Sequence, residues 1–156
     1  MRNVTFRSVL LVVIVHVLCP GHCLGATGWA QPNYSLTITA HIAGSNVSQW
    51  DSTVMTLNHD GAATIQASVT TSGNEVLTSA SSDTLATSYK LTGAALGATA
   101  DSDWVASLTF ISPAKSYSVE GVGPSDITLW LRGTSSSGRA NDAGDYTASV
   151  VLTVTW

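Results

Sequence analysis

The chain has little charge and few aromatic residues, and its only cysteines lie close to the N-terminus. Charged residues make up 10% of the sequence and aromatic residues 7%, and the two cysteines are Cys19 and Cys23. Helical proteins carry many Glu, Lys and Arg side chains on their wet faces, so this composition, rich in Ser, Thr, Ala, Val and Gly, favours β-structure. Because the 6 Lys and Arg residues are not clustered, nucleic acid is not an expected partner.

The one long apolar run lies within the first residues. Arg2 and Arg7 precede or flank the start of the run SVLLVVIVHVLC, which is the layout of a secretory signal peptide. The run is too short for an ordinary membrane span of about 20 apolar residues. We therefore expect a signal peptide at residues 1–25 and a secreted domain at residues 26–156, and we do not expect an integral membrane protein.

The cleavage site and the two cysteines determine what the secreted domain contains. Cleavage after Gly25 fits best, and cleavage after Ala26 or Ala30 remains an alternative. Lipid attachment at Cys19 or Cys23 is disfavoured, because HVLC and PGHC are poor matches to a lipobox. The secreted domain then has no cysteine, which excludes a disulfide, and it is more acidic than the formal net charge of −4 of the whole chain.

Apolar residues recur at every second position in seven or eight short segments between residue 33 and the C-terminus. The clearest of these segments are NYSLTITAHIA, AATIQASVT, DITLWLRG and DYTASVVLTVTW. Turn-forming residues separate them, and no segment has a helical period of 3.6. This pattern predicts an all-β chain, and more specifically an immunoglobulin-like β-sandwich of seven or eight strands.

Two local predictions follow from the same alternation. The segment HDG, with Gly61 available for positive φ, predicts a hairpin between STVMTLN and AATIQASVT. The segment DWVASLTF is predicted to be a strand, in which Trp104, Ala106, Leu108 and Phe110 share the buried face.

Chemistry-bearing residues are few. Beyond the signal, only His41 and His59 remain as histidines, and no nucleophile has a base at a recognisable spacing. Asp101 and Asp103 form a fragment of a calcium loop, but the loop glycine and the final bidentate glutamate are missing. We therefore predict no enzyme activity, no cofactor and no metal ion.

Two tryptophans are candidate ligand contacts. Trp130 points away from the face shared by Ile127, Leu129 and Leu131, and Trp50 lies beside a turn. An exposed indole can pack against the apolar face of a sugar ring, so these two side chains support a carbohydrate-binding hypothesis.

Both ends of the expected domain resemble bacterial fimbrial subunits. NDAGDYTASVVLTVTW resembles their closing strand, and SLTITAHIAG is similar to the N-terminal segment of the alpha-fimbria and spore-coat-U-like groups of chaperone-usher pili. The step Asp-Ala-Gly-Asp-Tyr also resembles the tyrosine corner of immunoglobulin-type sandwiches, with Tyr146 as the corner residue. Many spore-coat-U-like subunits contain cysteines that the expected domain lacks, and the middle of the chain resembles these groups only in general character.

The resemblance implies assembly by donor-strand complementation. In those families each subunit is an incomplete sandwich, and the N-terminal segment of the next subunit supplies the missing strand. The inserted side chains are then Tyr34, Leu36, Ile38, Ala40 and Ile42. The acceptor groove is lined in part by Val150, Leu152 and Val154. One buried large aliphatic side chain contributes roughly 1.5 to 3 kcal/mol, so the five together can approach ~10 kcal/mol.

The leading hypothesis from the sequence is a structural subunit of a secreted surface filament, a fimbria. The resemblance implies a periplasmic chaperone and an usher as partners, self-assembly into a filament, and export through the periplasm to the cell surface. The alternative is a self-contained secreted or cell-surface β-sandwich that binds a ligand, with carbohydrate as one candidate. The two hypotheses differ in whether the N-terminal strand completes its own fold or that of a neighbour.

Overall fold

A computed structural model of the chain describes residues 13–14, 27–31, 33–34, 38–40, 47–135, 141–142 and 144–156. Side chains are described in all of these ranges except the three short ones at 13–14, 33–34 and 38–40. The strands in the described residues are β1 (Val13–Ile14), β2 (Gly28–Trp29), β3 (Asn33–Tyr34), β4 (Ile38–Ala40), β5 (Ser48–His59), β6 (Ala63–Ser68), β7 (Thr78–Ser79), β8 (Ala86–Thr92), β9 (Val105–Ala106), β10 (Tyr117–Val119), β11 (Gly123–Thr134), β12 (Gly144–Thr147) and β13 (Val151–Thr155). The helices there are a 3₁₀ helix at Ala94–Thr99 and the short α1 at Ser107–Phe110.

The prediction of an all-β chain is confirmed. The strands in the described residues outnumber the seven or eight that were predicted, because five of them are only two residues long and are too short to show alternation. None of the described helices is long and apolar enough to span a membrane.

All strand pairs in the described residues are antiparallel. The largest sheet has the order β2-β5-β11-β8-β9, and two sheets of three strands have the orders β10-β6-β13 and β4-β12-β7. The remaining pair is β1 with β3. Within the five-stranded sheet, β5 and β11 pair along their whole length, from Gly123 opposite His59 to Thr134 opposite Ser48.

The five-stranded sheet and the sheet β10-β6-β13 share one hydrophobic core. In β11 the alternate residues Ile127, Leu129 and Leu131 are fully buried, while the residues between them are partly exposed. The same cluster includes side chains from both sheets and from the connecting segments, among them Met55, Leu57, Ile65, Tyr89, Leu91, Phe110, Tyr117, Val119, Leu152 and Val154. Alternation along each strand therefore separates a packed inner face from an outer face.

The predicted HDG hairpin is wrong. β5 belongs to the five-stranded sheet, whereas β6 pairs with β10 and β13 in another sheet, so the chain crosses between sheets at the turn after His59. A turn signal fixes a change of direction, but the pairing of the two flanking strands depends on distant partners. His59 is buried in this crossing, with Nδ1 3.0 Å from the Gly61 carbonyl oxygen and Nε2 2.8 Å from Ser125 Oγ.

The strand predicted at DWVASLTF is also wrong over most of its length. β9 covers only Val105–Ala106, and the chain then turns into α1. In this helix Ser107 and Phe110 are buried, as expected for residues three apart on one helical face. Leu108 is 70% exposed instead of buried, and Trp104 is only partly buried.

The predicted N-terminal donor segment is described only in part. Ile38 and Ala40 lie in β4, and Tyr34 lies in β3. Leu36 and Ile42 lie outside the described residues, as does His41. β4 is an edge strand whose one strand partner among the described residues is β12, while β3 pairs with β1 inside the expected signal peptide.

Candidate functional site

The two tryptophans predicted as ligand contacts lie next to each other on the outer face of the five-stranded sheet. In the β5–β11 pairing, Trp130 lies opposite Ser52 and Trp50 lies opposite Arg132. This register brings the ring centroids of Trp50 and Trp130 to 5.5 Å, with an angle of 52° between the ring planes. Trp50 is 60% exposed, so one indole of the pair presents most of its surface to solvent.

Trp104, the residue directly before β9, lies beside this pair. β9 begins directly after it and pairs with β8, with Val105 opposite Tyr89. The guanidinium carbon Cζ of Arg132 lies 4.6 Å from the centre of the Trp104 ring, a distance typical of a cation–π contact. Trp104 was expected in the core, and its place on the outer face follows from the loss of the predicted strand.

These side chains line a cavity of ≈ 610 Å³, which we call the tryptophan pocket. The pocket is lined by Ser48, Trp50, Lys90, Trp104, Trp130 and Arg132. Its volume lies within the range of small-molecule sites, about 300–1,000 Å³. Sequence reasoning identified Trp50 and Trp130 but missed the other members, although Lys90 and Arg132 both occupy outward positions in alternating strands.

Hydrogen bonds fix parts of the pocket. Trp130 Nε1 donates to Thr92 Oγ1 at 2.9 Å, and Lys90 Nζ donates to the Ser102 carbonyl oxygen at 3.3 Å. Both bonds tie the outer face of β8 to its neighbours. The orientation of the Trp130 ring is therefore set before any ligand arrives.

The two cations of the pocket have no carboxylate partner among the described residues. Among the described residues an ion pair joins Lys115 to Asp101, and neither of these residues lines the pocket. Arg132 Nε is buried without a hydrogen-bond partner, and Arg132 Nη2 lies 3.5 Å from Ser88 Oγ. Buried donors are nearly always paired in folded proteins, so this Nε is an exception, while the guanidinium as a whole lines the pocket.

The closing strand β13 contains most of the predicted acceptor groove. Val150, Leu152 and Val154 are buried within the hydrophobic core, and no open groove exposes them. β13 is nevertheless an edge strand, since β6 is its one strand partner among the described residues. The indole of Trp29 covers part of its backbone, because Trp29 Nε1 donates to the Leu152 carbonyl oxygen at 3.2 Å.

The described part of the predicted donor segment lies against β12 instead. Ile38 is opposite Tyr146 and Ala40 is opposite Gly144. β12 comes directly before β13 in the chain, and it lies between β4 and β7 in its sheet. The described part of the N-terminal segment therefore pairs, within its own chain, with the beginning of the predicted closing strand DYTASVVLTVTW.

Tyr146 lies in β12 and is fully buried. Its hydroxyl lies 2.7 Å from the carbonyl oxygen of Asp142, four residues upstream, and 2.9 Å from Asp83 Oδ2. A tyrosine corner has a hydroxyl in contact with backbone a few residues upstream. Burial, together with the Asp83 carboxylate, raises the pKa of the Tyr146 hydroxyl to about 12, because both favour the neutral form.

The Asp101 carboxylate predicted as part of a calcium-loop fragment is engaged by protein donors. Lys115 Nζ lies 2.7 Å from Oδ1, and the Tyr117 hydroxyl donates to Oδ2 at 2.6 Å. Oδ2 also accepts the Leu91 backbone N–H at 3.0 Å. Within the described residues, no group of three or more His, Cys, Asp and Glu side chains is arranged to hold a metal ion.

Comparison with models of known protein families gives no match to this chain, and comparison with curated protein sequences gives none either.

Proposed function

We propose that the protein is a structural subunit of a secreted surface filament, in which copies are joined by exchange of the N-terminal strand. The observation that carries the proposal is the position of β4. This strand lies at the edge of its sheet and pairs with β12, its one strand partner in the described part of the chain. An edge strand with one partner can leave without breaking any other strand pair of its sheet.

Strand exchange preserves the pairing that the single chain makes. The β4 of a neighbouring copy can take the same place and put Ile38 opposite Tyr146 and Ala40 opposite Gly144, as in the single chain. Domain swapping has a low energetic cost for this reason, since the strand pairing broken within one chain forms again between two chains. Because each copy both gives and receives a strand, the exchange can continue along a filament.

Export through the periplasm, a periplasmic chaperone and an usher belong to this proposal. A subunit that has not yet received a strand exposes the edge of β12, and exposed sheet edges are aggregation sites. A chaperone that occupies this edge during export protects the subunit until the next copy arrives. The immunoglobulin-like sandwich expected of such subunits is likewise part of the proposal, and the shared core of two antiparallel sheets supports it.

The test compares substitutions at two adjacent positions of β4. Ile38→Asp places a charge on the alternating apolar face, whereas Thr39→Lys places a charge on the face that alternates with it, opposite Asp145. In the surface fraction of the source organism, an immunoblot without boiling should show a ladder of multimers for the wild type. We expect Ile38→Asp to abolish the ladder while secreted protein stays detectable, and Thr39→Lys to retain it.

A persisting ladder in Ile38→Asp would contradict the proposal. So would a wild-type protein that migrates as a monomer both with and without boiling. Deletion of residues 33–43 gives an independent readout, because a strand used between copies can be removed without lowering the thermal stability of the monomer.

The second candidate is a self-contained secreted or cell-surface module that binds a ligand. The pairing of β4 with β12 of the same chain favours it, because a strand used in this way completes its own fold. Under this hypothesis the 33–43 deletion unfolds the monomer, and no ladder forms. The same two measurements therefore separate the two functions.

A further inference from the structure

We propose that the tryptophan pocket binds an acidic saccharide, a sugar chain that carries carboxylates, through its three indoles and the two cations Lys90 and Arg132. The inference is independent of the filament proposal, since the pocket lies on the outer face of the five-stranded sheet and contains no residue of β4 or β12.

The apolar part of the ligand is indicated by the indoles. Trp50 and Trp130 lie at 5.5 Å with tilted planes, and Trp104 adds a third ring on the same face. Flat rings of this kind pack against the C–H face of a pyranose, and they do so without losing much side-chain entropy. Trp50, which is 60% exposed, offers the largest area of indole not already covered by protein.

The charged part of the ligand is indicated by the distribution of cations. The chain is acidic overall, with a formal net charge of −4, yet no acidic side chain is among the described residues that line this pocket. Of the basic side chains that the structure describes, Lys115 is paired with Asp101. Lys90 and Arg132, which lack such a partner there, both lie in the pocket, so the pocket is complementary to a negative ligand.

Arg132 is held in a position suited to a carboxylate. Its guanidinium lies against the Trp104 ring, which restrains the plane of the fork, and it lines the pocket. A planar guanidinium binds a carboxylate in two parallel hydrogen bonds. We infer that a ligand carboxylate lies against this guanidinium.

The remaining polar group of the pocket is the Ser48 hydroxyl, whose Oγ lies 2.7 Å from Thr134 Oγ1, and a hydroxyl both donates and accepts hydrogen bonds. The three indoles favour a uronate-containing saccharide over an acidic peptide, because a pyranose ring offers a flat C–H face to an indole.

The experiment measures binding by quenching of tryptophan fluorescence, with calorimetry for the affinity. The probes are an oligogalacturonate, an alginate oligomer, a neutral oligogalactoside of matched length, and oligoglutamate. We expect both uronate probes to bind saturably, and the neutral probe to bind at least about tenfold more weakly, because charge-assisted hydrogen bonds are the stronger ones. Added salt should weaken uronate binding.

Three variants locate the site. Arg132→Gln should lower uronate affinity by about tenfold or more and leave the weak binding of the neutral probe unchanged. Trp50→Ala should weaken the binding of every saccharide. Trp156→Ala is the matched control, because it also removes one partly exposed indole, 43% exposed, but outside this pocket; it should not change affinity. Circular dichroism checks that each variant is folded.

Several results would overturn the inference. They are a lack of binding by both uronate probes, equal affinity for neutral and acidic saccharides, equal or tighter binding of oligoglutamate, and equal effects of Trp50→Ala and Trp156→Ala.

Discussion

Two buried carboxylates, Asp83 and Asp101, are almost equally inaccessible, at 7% and 8% exposure, yet their surroundings differ. Each lies within hydrogen-bond distance of a buried tyrosine hydroxyl, Tyr146 for Asp83 and Tyr117 for Asp101. Asp101 also has a cation, the Lys115 ammonium at 2.7 Å. Asp83 accepts hydrogen bonds from the Asn141 side-chain amide and the Asp142 backbone N–H.

The donors described at Asp83 come from two segments of the chain. The Asn141 side-chain amide donates to Oδ2 at 2.9 Å and the Asp142 backbone N–H donates to it at 2.8 Å, while the Thr84 backbone N–H lies 3.1 Å from Oδ1. Asp83 precedes β8, and its distant partners precede or lie in β12, so the cluster ties two distant segments together. Several amide donors directed at one carboxylate stabilise its charge.

The partners of the two carboxylates also differ in their contact with water. Lys115 is 29% exposed, so its ammonium retains contact with water while it neutralises Asp101, which limits the desolvation penalty of the pair. The partners of Asp83 lie in β12 and directly before it, and two of them, Asn141 and Tyr146, are buried. The comparison teaches that a partly exposed ammonium neutralises Asp101, whereas the contacts described at Asp83 join two distant segments of the chain.

Asp83→Ala is expected to have the largest effect. It removes an acceptor of the Asn141 amide and of the Asp142 N–H, while the Tyr146 hydroxyl can still donate to the Asp142 carbonyl oxygen. Each unsatisfied buried group costs about 1–3 kcal/mol. We expect a loss of about 3–5 kcal/mol in the free energy of unfolding, measured by urea denaturation. The exposed Asp142 is the control: Asp142→Ala should stay within about 0.5 kcal/mol. Similar losses in the two variants would show that the cluster is not a structural tie.

High pH should have the next largest effect, because it ionises the tyrosine beside each carboxylate, Tyr117 at Asp101 and Tyr146 at Asp83. Burial raises the pKa of Tyr117 and of Tyr146, the latter to about 12, above the ordinary value of about 10. A tyrosine whose pKa is raised by folding stabilises the fold at pH values below its pKa in the unfolded chain. This stability is lost as the pH rises through its pKa in the folded chain. The urea midpoint should therefore fall from about pH 10 towards about pH 12.

Tyr146→Phe serves as the control for this titration. It should make the urea midpoint fall less steeply between about pH 10 and about pH 12, because it removes one of the groups that ionise more readily in the unfolded chain. An unchanged slope would contradict the assignment of the raised pKa to this cluster.

Removing each tyrosine hydroxyl at constant pH compares how much Asp83 and Asp101 depend on that donor. Tyr146→Phe should cost about 1–2 kcal/mol at neutral pH, because Asp83 then loses one of its buried donors. Tyr117→Phe should cost less, because Asp101 keeps the Lys115 ammonium. Urea denaturation of the two variants side by side measures the difference. A larger loss for Tyr117→Phe would reverse the proposed roles.

Lys115→Met should have the smallest effect, about 1 kcal/mol, because the methionine keeps the packing of the stem and the partly exposed pair is screened by water. The difference from the wild type should shrink as salt is added. A loss that does not depend on salt would mean that Lys115 stabilises mainly by packing on the Tyr117 ring, 4.7 Å from its ammonium.

Alternation along the sequence predicted the all-β class and the outward position of Trp130. Both follow from a property of each strand by itself, the two-residue period of its side chains. Trp104, Lys90 and Arg132 joined the pocket only through the register of β5, β8, β9 and β11. Register depends on partners far apart in the chain, and no single segment reveals it.

The same limit applies to the predictions that were wrong. His59 and Ala63 flank a turn that the sequence identified correctly as a turn, but the strands on either side joined different sheets. Leu108 fits the buried face of a strand by alternation alone, yet the chain there forms one helical turn that buries Phe110 and exposes Leu108. Over so few residues, helical and strand periods are hard to distinguish.

Trp29 links the two sheets that form the core: β2 pairs with β5, opposite Leu57, while its indole donates to the Leu152 carbonyl oxygen on β13. The expected signal-peptidase site lies immediately upstream of this residue. Cleavage after Gly25 retains Trp29 as part of the first strand of the secreted chain, whereas cleavage after Ala30 removes the strand and its hydrogen bond together. The expected cleavage positions therefore differ in whether the chain keeps the hydrogen bond by which Trp29 joins β2 to β13.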